Sequence, residues 1–254
     1  MDFEIVRPQD LTPASIARWT ELQAADIALD TPFLSPQWAQ AVERVQRQGA
    51  RSVRVAILKD GGREVGFFPA RVGSVIAMPV GAPMCDYQGL VAEPDRSLNP
   101  RDLVAALGVH RLDFSFMLEQ QAPFARHARG RDLSYLIDVD DGYQAYEAER
   151  RAAGTSVLKD CDKKRRKAER EVGPAQFQAF SGSDADFDRL RAWKSAQYRA
   201  TGQTDIFETP WTLELLRRLF ERREPDFGAG LFTLHLGGEL AAVHLHLHGR
   251  RTIH

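Results

Sequence analysis

Cysteine is scarce: Cys85 and Cys161 are the two in 254 residues, far apart and in no metal-ligand spacing. That excludes a disulfide scaffold and a zinc ribbon, and makes a reducing cytoplasm the default compartment. No apolar run approaches the roughly 18 residues needed to cross a bilayer. The opening Met1-Asp2-Phe3-Glu4 is acidic, whereas a secretory leader places basic residues before an apolar stretch. An excess of either charge is also missing, since 34 Lys and Arg stand against 35 Asp and Glu. A stable nucleic-acid coat, which needs a net basic surface, is excluded on that ground. No P-loop, no Gly-x-Gly-x-x-Gly and no nucleophile elbow occurs. Gly228-Ala229-Gly230 precedes a strand and reads as a loop. The remaining composition, 43% hydrophobic and 27% charged, is that of an ordinary globular chain. It is long enough for one large domain or two smaller ones.

An internal repeat is present. A shift of 174 residues superimposes Phe3 on Phe177, Asp10 on Asp184, Ile16 on Leu190 and Trp19 on Trp193. The same shift places Phe33 on Phe207, Ser35 on Thr209 and Pro36 on Pro210; a shift of 175 aligns Glu64-Val65 with Glu239-Leu240. A near-constant offset across helix and strand signals points to one module written twice.

The local signals follow the same division. Phe3 to Val6 alternates as a strand. Thr12-Pro13 and Ser35-Pro36 each place a capping hydroxyl before a proline at the first helical position. Trp38, Val42 and Val45 form a buried stripe, and Gly49 ends that helix. Val53 to Ile57 and Val65 to Val72 form a hairpin around Asp60-Gly61-Gly62. Further strands are expected at Val75 to Met78, up to Val91, at Leu112 to Met117 and at Leu133 to Val139, with a helix from Asn99-Pro100 to Leu107. The second copy starts at Ala175-Gln176-Phe177 and repeats the order: helix 184–200, a helix capped by Thr209-Pro210, and strands Leu231 to Leu236 and Leu240 to His248. His254 matches residue 79 of the first copy, so the chain is expected to lack on the order of 60 residues of its second domain. Trp19 and Trp193, on apolar helix faces, are expected in the core.

Between the copies, Lys159, Lys163, Arg166 and Arg170 form one stripe of a helix that Thr155 or Ser156 caps and Gly173-Pro174 ends. Leu158, Cys161, Ala168 and Val172 form an apolar stripe that would dock between the domains. Arginine forks and lysines suit the phosphates of a nucleotide sugar, a lipid-linked sugar or CoA. A solvated helix balanced by Asp160, Asp162, Glu169 and Glu171 fits the same pattern. His244, His246 and His248 alternate along one strand and so share a face. A metal would need a further ligand from another element, such as His235 or His254, so the stripe reads better as the polar lining of a substrate cleft, or as a solvated face, than as a metal site. His244 is the candidate general base, a neutral imidazole able to take the proton an acceptor amine must lose. Lys194, Gln197 and Tyr198 share a helical face beside the loop that carries Asp205. That face suits the hydroxyls of a sugar, and an ordinary exposed helix fits it too. Asp86-Tyr87 reads as a turn, or as a remnant site in the first copy.

The order strand, two helices, three strands resembles the GNAT acetyltransferase fold, and its tandem use resembles the Fem-type transferases. The stretch Leu190 to Trp211 together with Gly238 to His244 is similar to bacterial acetyltransferases linked to cellulose and other exopolysaccharide synthesis. The resemblance covers residues 140 to 254 in sequence and the first copy in architecture. In that family the lysine, glutamine, tyrosine, aspartate and strand histidine fall at Lys194, Gln197, Tyr198, Asp205 and His244. It implies an α/β (α+β) protein of two tandem acetyltransferase-like domains, each a mixed, mostly antiparallel sheet flanked by helices. The first would be 1–140 and the second, incomplete, 175–254, with the basic helical segment 141–174 between them. It also implies acyl transfer from acetyl-CoA to a phosphorylated or sugar acceptor: His244 would be the base, and Lys163, Arg166, Arg170, Lys194, Gln197, Tyr198, Asp205 and His246 would bind substrate. Two other readings stay open, a Fem-type transferase using aminoacyl-tRNA and a non-catalytic nucleotide-sensing module.

Overall fold

The computed structural model describes residues 2–46, 52–94, 96, 98–222 and 224–254. The elements in chain order are β1 (Asp2–Val6), α1 (Pro13–Ala24), α2 (Pro36–Val45), β2 (Ser52–Asp60), β3 (Arg63–Val72), β4 (Ile76–Met78), β5 (Val91–Ala92), α3 (Pro100–Ala106), β6 (Arg111–Leu112) and α4 (Ala122–Ala125). Then come α5 (Tyr143–Ala152), α6 (Val157–Glu171), β7 (Ala175–Ser181), α7 (Asp184–Thr201), α8 (Pro210–Glu221), β8 (Gly228–Leu236) and β9 (Glu239–His248). The fold is mixed α/β, with sheets flanked by helices, the class the sequence leads one to expect. The chain packs as two compact units, a larger one of Met1–Arg129, Arg191–Gly230 and His246–His254, and a smaller one of Gly130–Leu190 and Leu231–Leu245.

The larger unit is built on the sheet β1-β2-β3-β4-β6, with β5 paired to β3. Its strands are antiparallel except for the parallel pair β4 and β6. Local chemistry sets the helix starts: Thr12 accepts from the Ser15 N–H, and Ser35 from the Trp38 N–H, each just ahead of a proline. The buried face of α1 brings Trp19 onto Phe67, stacked at 5.1 Å, and the Trp19 indole donates to Leu34 O at 2.9 Å. A second core cluster joins Ala56, Leu58, Phe68 and Ala70 to Leu103, Leu107 and Phe124. α2 also packs against α8. Its Trp38 donates to Val80 O at 3.1 Å and meets Phe33 edge-on at 5.0 Å.

The smaller unit holds α5, α6, β7 and the hairpin residues 231–245. β7 runs antiparallel to β8, from Ala175 opposite Leu236 to Ser181 opposite Leu231. A register shift between Gln178 and Ser181 accompanies the positive φ of Phe180.

Residues 2–78 and 175–254 share more than element order. The hairpin turns Gly61-Gly62 and Gly237-Gly238 have φ of 57° and 82° against 59° and 89°, which only glycine adopts freely in a two-residue turn. The Gly73 N–H donates to Ile76 O at 2.9 Å, and the Gly249 N–H to Thr252 O at 2.9 Å. Arg71 pairs with Met78 and Val72 with Ala77; Leu247 and His254 exchange backbone hydrogen bonds, and His248 bridges Ile253. Through this hairpin the offset is 176, larger than the 175 inferred from Glu64-Val65 and Glu239-Leu240.

Several expectations need correction. The strand expected at Leu112 to Met117 is limited to Arg111–Leu112. The chain bends at Phe116, whose φ is 55°, and Met117 bridges Gln88 instead. The strand leading to Val91 is limited to Val91–Ala92. Leu133 to Val139 joins no ladder among the described residues, and Tyr135 is 88% exposed. Trp193 is 39% exposed, because α7 buries only Phe187 and Leu190. The helix end expected at Gly49 lies outside the described residues.

The packing around Gly81 and Cys85 is directly testable. At Gly81, with φ of 81°, an added Cβ would lie 2.6 Å from Trp38 Cζ2. Gly81→Ala should cost about 1–3 kcal/mol through backbone strain and overpacking, read as a lower denaturant midpoint with unchanged slope. The buried Cys85 thiol is pushed up to about 12 by burial and then by the Asp86 charge. Ellman's reagent at mildly alkaline pH should therefore label exposed Cys161 at once and Cys85 only on unfolding. An unfolded chain loses this proton near 9.0 and the folded chain near 12, so stability should fall as pH rises through that window.

Candidate functional site

α6 carries the basic stripe as a solvated surface. It buries no residue, and its apolar stripe is covered only in part: Leu158 and Ala168 are half-buried, while Cys161 is exposed and Val172 is 63% exposed. With 15 residues of which so few are apolar, the helix has too little hydrophobic surface to dock by that face. Arg165 pairs with Asp162 and Glu169, Lys167 with Glu171, and Arg170 with Glu171 at 3.7 Å. Among the described residues, Lys159, Lys163, Lys164 and Arg166 form no ion pair. Arg166 and Lys163 are thus cations whose charge an anion can meet without first breaking a bridge, and their chemistry suits phosphate oxygens. The hydroxyl of Ser156 donates to Asp160 at 2.9 Å, and the Val157 N–H reaches Thr155 Oγ1 at 3.4 Å.

His244 lies in the smaller unit, exposed, with its ring stacked over Phe232 at 6.2 Å and 15°. A stacked yet accessible imidazole is oriented without losing access to a proton donor. In the larger unit His246 is 1% exposed and its ring lies 6.3 Å from that of His248. His248 Nε2 is 3.1 Å from Glu224 O. The alternating histidines therefore do not form one solvent-facing stripe. Among the described residues, no group of three or more His, Cys, Asp or Glu side chains comes together as a metal would require.

Lys194, Gln197 and Tyr198 are brought together on α7. The Lys194 ammonium donates to Gln197 Oε1 at 3.0 Å and lies 4.9 Å from the centre of the Tyr198 ring. This preformed patch of ammonium, amide and phenol offers both donors and acceptors to hydroxyl groups. Asp205 is 8% exposed and works first as a cap: its Oδ1 accepts from the Phe207 N–H at 2.9 Å at the start of the 3-10 turn Ile206–Glu208. Thr209, expected to cap α8, makes no side-chain cap; Thr212 donates its hydroxyl to Thr209 O at 2.7 Å instead.

A pairing that linear spacing does not reveal lies elsewhere in the larger unit. His254 Nε2 stands 3.0 Å from Asp86 Oδ2 across 168 positions of sequence. The sequence feature that points to it is Asp86-Tyr87, which reads equally as a turn.

Residues 155–254 match the model of a family described as an acetyltransferase (GNAT) domain. That segment is acetyltransferase-like. It contains α6, the Lys194 patch, Asp205 and all three strand histidines, and it supports acyl transfer as the general chemistry. No curated protein matches the chain. No helix among the described residues is long and apolar enough to cross a membrane.

The Asp205 geometry is testable by stability alone. Asp205→Ala should cost about 0.5–2 kcal/mol through loss of the cap, while Asp205→Asn, which keeps an acceptor oxygen, should retain most of it. Equal denaturant midpoints for wild type and Asp205→Ala would remove the capping role.

Proposed function

We propose that this protein is an acyl-CoA-dependent N-acyltransferase that moves acetyl from acetyl-CoA to the amine of an amino sugar, or of a sugar-linked precursor of surface polysaccharide, in the cytoplasm. The observation that carries the reading is the acetyltransferase match over residues 155–254. The recurrence of hairpin turns and register between residues 2–78 and 175–254 supports two tandem acetyltransferase-like domains, 1–140 and 175–254, joined by the basic segment 141–174.

Acetyl-CoA, when bound, supplies the acyl thioester. The chain's own residues bind and orient the acceptor and move its proton. Lys163, Arg166 and Arg170 are assigned to phosphate carried by the acceptor, because their exposed charges match its oxygens. Lys194, Gln197 and Tyr198 are assigned to acceptor hydroxyls. Asp205 and His246, both buried, are assigned to supporting the acceptor-binding surface. His244 is assigned as the base: in its neutral form it takes a proton from the acceptor ammonium and leaves the nitrogen lone pair free to attack the thioester carbonyl.

The test follows CoA release with acetyl-CoA and glucosamine or glucosamine 1-phosphate as acceptors. His244→Ala should lower kcat by about 10²-fold or more while leaving acetyl-CoA binding by calorimetry intact. The triple variant Lys163→Ala, Arg166→Ala, Arg170→Ala should raise KM for the phosphorylated acceptor and leave that for glucosamine unchanged. Absence of thioester turnover with every amino sugar, or full turnover in His244→Ala, rejects the assignment. Salt-sensitive binding of charged tRNA without CoA binding would favour the aminoacyl-tRNA reading, and tight nucleotide binding without turnover the sensing module.

A further inference from the structure

Four side chains of the larger unit, drawn from three separate segments, meet where no single motif would place them. His254 stands at the end of the 247–254 hairpin. Its backbone is fixed by Leu247, which accepts from its N–H at 2.8 Å and donates to its carbonyl at 2.9 Å. The hairpin turn is tied down in its own right, the Thr252 hydroxyl donating to Asp30 O at 2.5 Å. The imidazole then lies edge-on to Phe33 at 4.9 Å and to Tyr87 at 5.4 Å. Phe33 and Tyr87 are themselves stacked at 6.3 Å. The partner carboxylate sits in a loop clamped at both ends. Gly81 lies tight against Trp38, and Gly89 is so close to Gln121 that a Cβ there would fall 2.5 Å from its Nε2. The Gln121 amide also exchanges hydrogen bonds with the Leu90 backbone, at 2.8 and 2.9 Å. Such anchoring is what a preorganised polar pair needs and an incidental surface contact lacks.

The hydrogen bond fixes the tautomer. An ionised carboxylate only accepts, so the Nε2 facing Asp86 Oδ2 carries the proton in the neutral ring, and Nδ1 holds the lone pair. No group among the described residues donates to that Nδ1. The side chains remain reachable, His254 at 32% exposure and Asp86 at 56%. The neighbouring ionisable groups are few. Cys85 is buried and its thiol is held neutral. Asp30 is buried, its pKa raised by desolvation and drawn back by Arg250 and Arg251. An ammonium is drawn to the Asp86 carboxylate and to the face of an aromatic ring.

We infer that Asp86, Tyr87 and His254, backed by Phe33, form a recognition site for a primary amine at which Nδ1 of His254 accepts the amine's proton. The step balances: an N–H bond of R–NH3⁺ breaks and leaves its electron pair on nitrogen. A new N–H bond forms at Nδ1, and the resulting imidazolium is held by Asp86 through Nε2–H. This rests on the acyl-transfer reading and deepens it by naming, within the larger unit, a place where an acceptor amine is bound and can lose its proton. The site itself requires no acyl donor.

The experiment separates the two. The His254 Hε1 and ring ¹⁵N resonances are followed in wild type, Asp86→Asn and His254→Gln, without acetyl-CoA, during titration with glucosamine and with glucose as the amine-free control. The expected result is the Nε2–H tautomer in the free protein and a saturable His254 shift with glucosamine only. His244→Ala should preserve that shift and Asp86→Asn should weaken it at least tenfold. His254→Gln, checked as folded by circular dichroism, should lower glucosamine affinity by calorimetry. An Nδ1–H tautomer, an equal response to glucose, or undiminished glucosamine binding in Asp86→Asn would overturn the site. Absence of CoA-thioester turnover with an intact glucosamine response would reject the acyl-transfer reading and leave the amine site standing. Where turnover is present, His254→Gln should lower kcat by about 10²-fold.

Discussion

The packing of α2 against α8 is the constraint on which the larger unit depends. Each helix is amphipathic and begins at a proline following a hydroxyl residue. α8 buries Leu215, Leu216, Leu219 and Phe220; α2 buries Trp38, Ala39, Ala41, Val42 and Val45. Burying each large side chain stabilises by ~1.5–3 kcal/mol relative to exposure, far more than any ion pair on these helices contributes. Residues 191–230 therefore belong energetically with the sheet at the other end of the sequence. Chain order and packing part company here. The two helices also occupy corresponding places in the repeated pattern, so the contact joins like to like, as an isologous interface does between subunits.

That contact passes directly into chemistry. Trp38, on the buried face of α2, holds Val80 through its indole and leaves no room for a side chain at Gly81. The loop that follows is thereby placed, and with it Asp86 and Tyr87. Phe33 meets both Trp38 and His254 edge-on. A row of aromatic contacts thus runs from the core to a solvent-accessible carboxylate and imidazole. Packing of this density has little slack, and the polar pair rests directly on it.

What could be read in advance depended on how local the cause was. Thr12-Pro13, Ser35-Pro36 and the glycine pairs act within a few residues, and the sequence identified those boundaries. The face shared by Lys194, Gln197 and Tyr198 follows from helical spacing alone and is present. Leu133 to Val139 has strand composition, but a strand needs a partner, and pairing is a long-range event that composition does not supply. Trp193 matched Trp19 in sequence, yet burial is decided by what lies opposite, and α7 closes over Phe187 and Leu190 instead. Asp205 looked like a loop carboxylate facing a ligand; a residue before a helical turn has backbone N–H groups to satisfy first. The pairing of Asp86 with His254 was beyond reach because its cause lies in the tertiary placement of a hairpin and a loop.

The matching hairpin register places different side chains at equivalent backbone positions. At the hairpin offset, His244 stands where the first copy has Phe68, His246 where it has Ala70, and His254 where it has Met78. In the first copy Phe68 and Ala70 are fully buried and join the core that Leu103 and Phe124 close over. In the second, the backbone makes the same turn and the same end-of-strand pairing, but imidazoles replace the apolar groups. One is buried and two are accessible. An apolar strand position contributes stability in proportion to area, whereas an imidazole contributes little to stability and much to proton transfer. The first copy thus has the residues of a structural support. In the second those positions carry imidazoles, so the apolar burial there comes from other side chains, Leu215, Leu216, Leu219 and Phe220 of α8 among them.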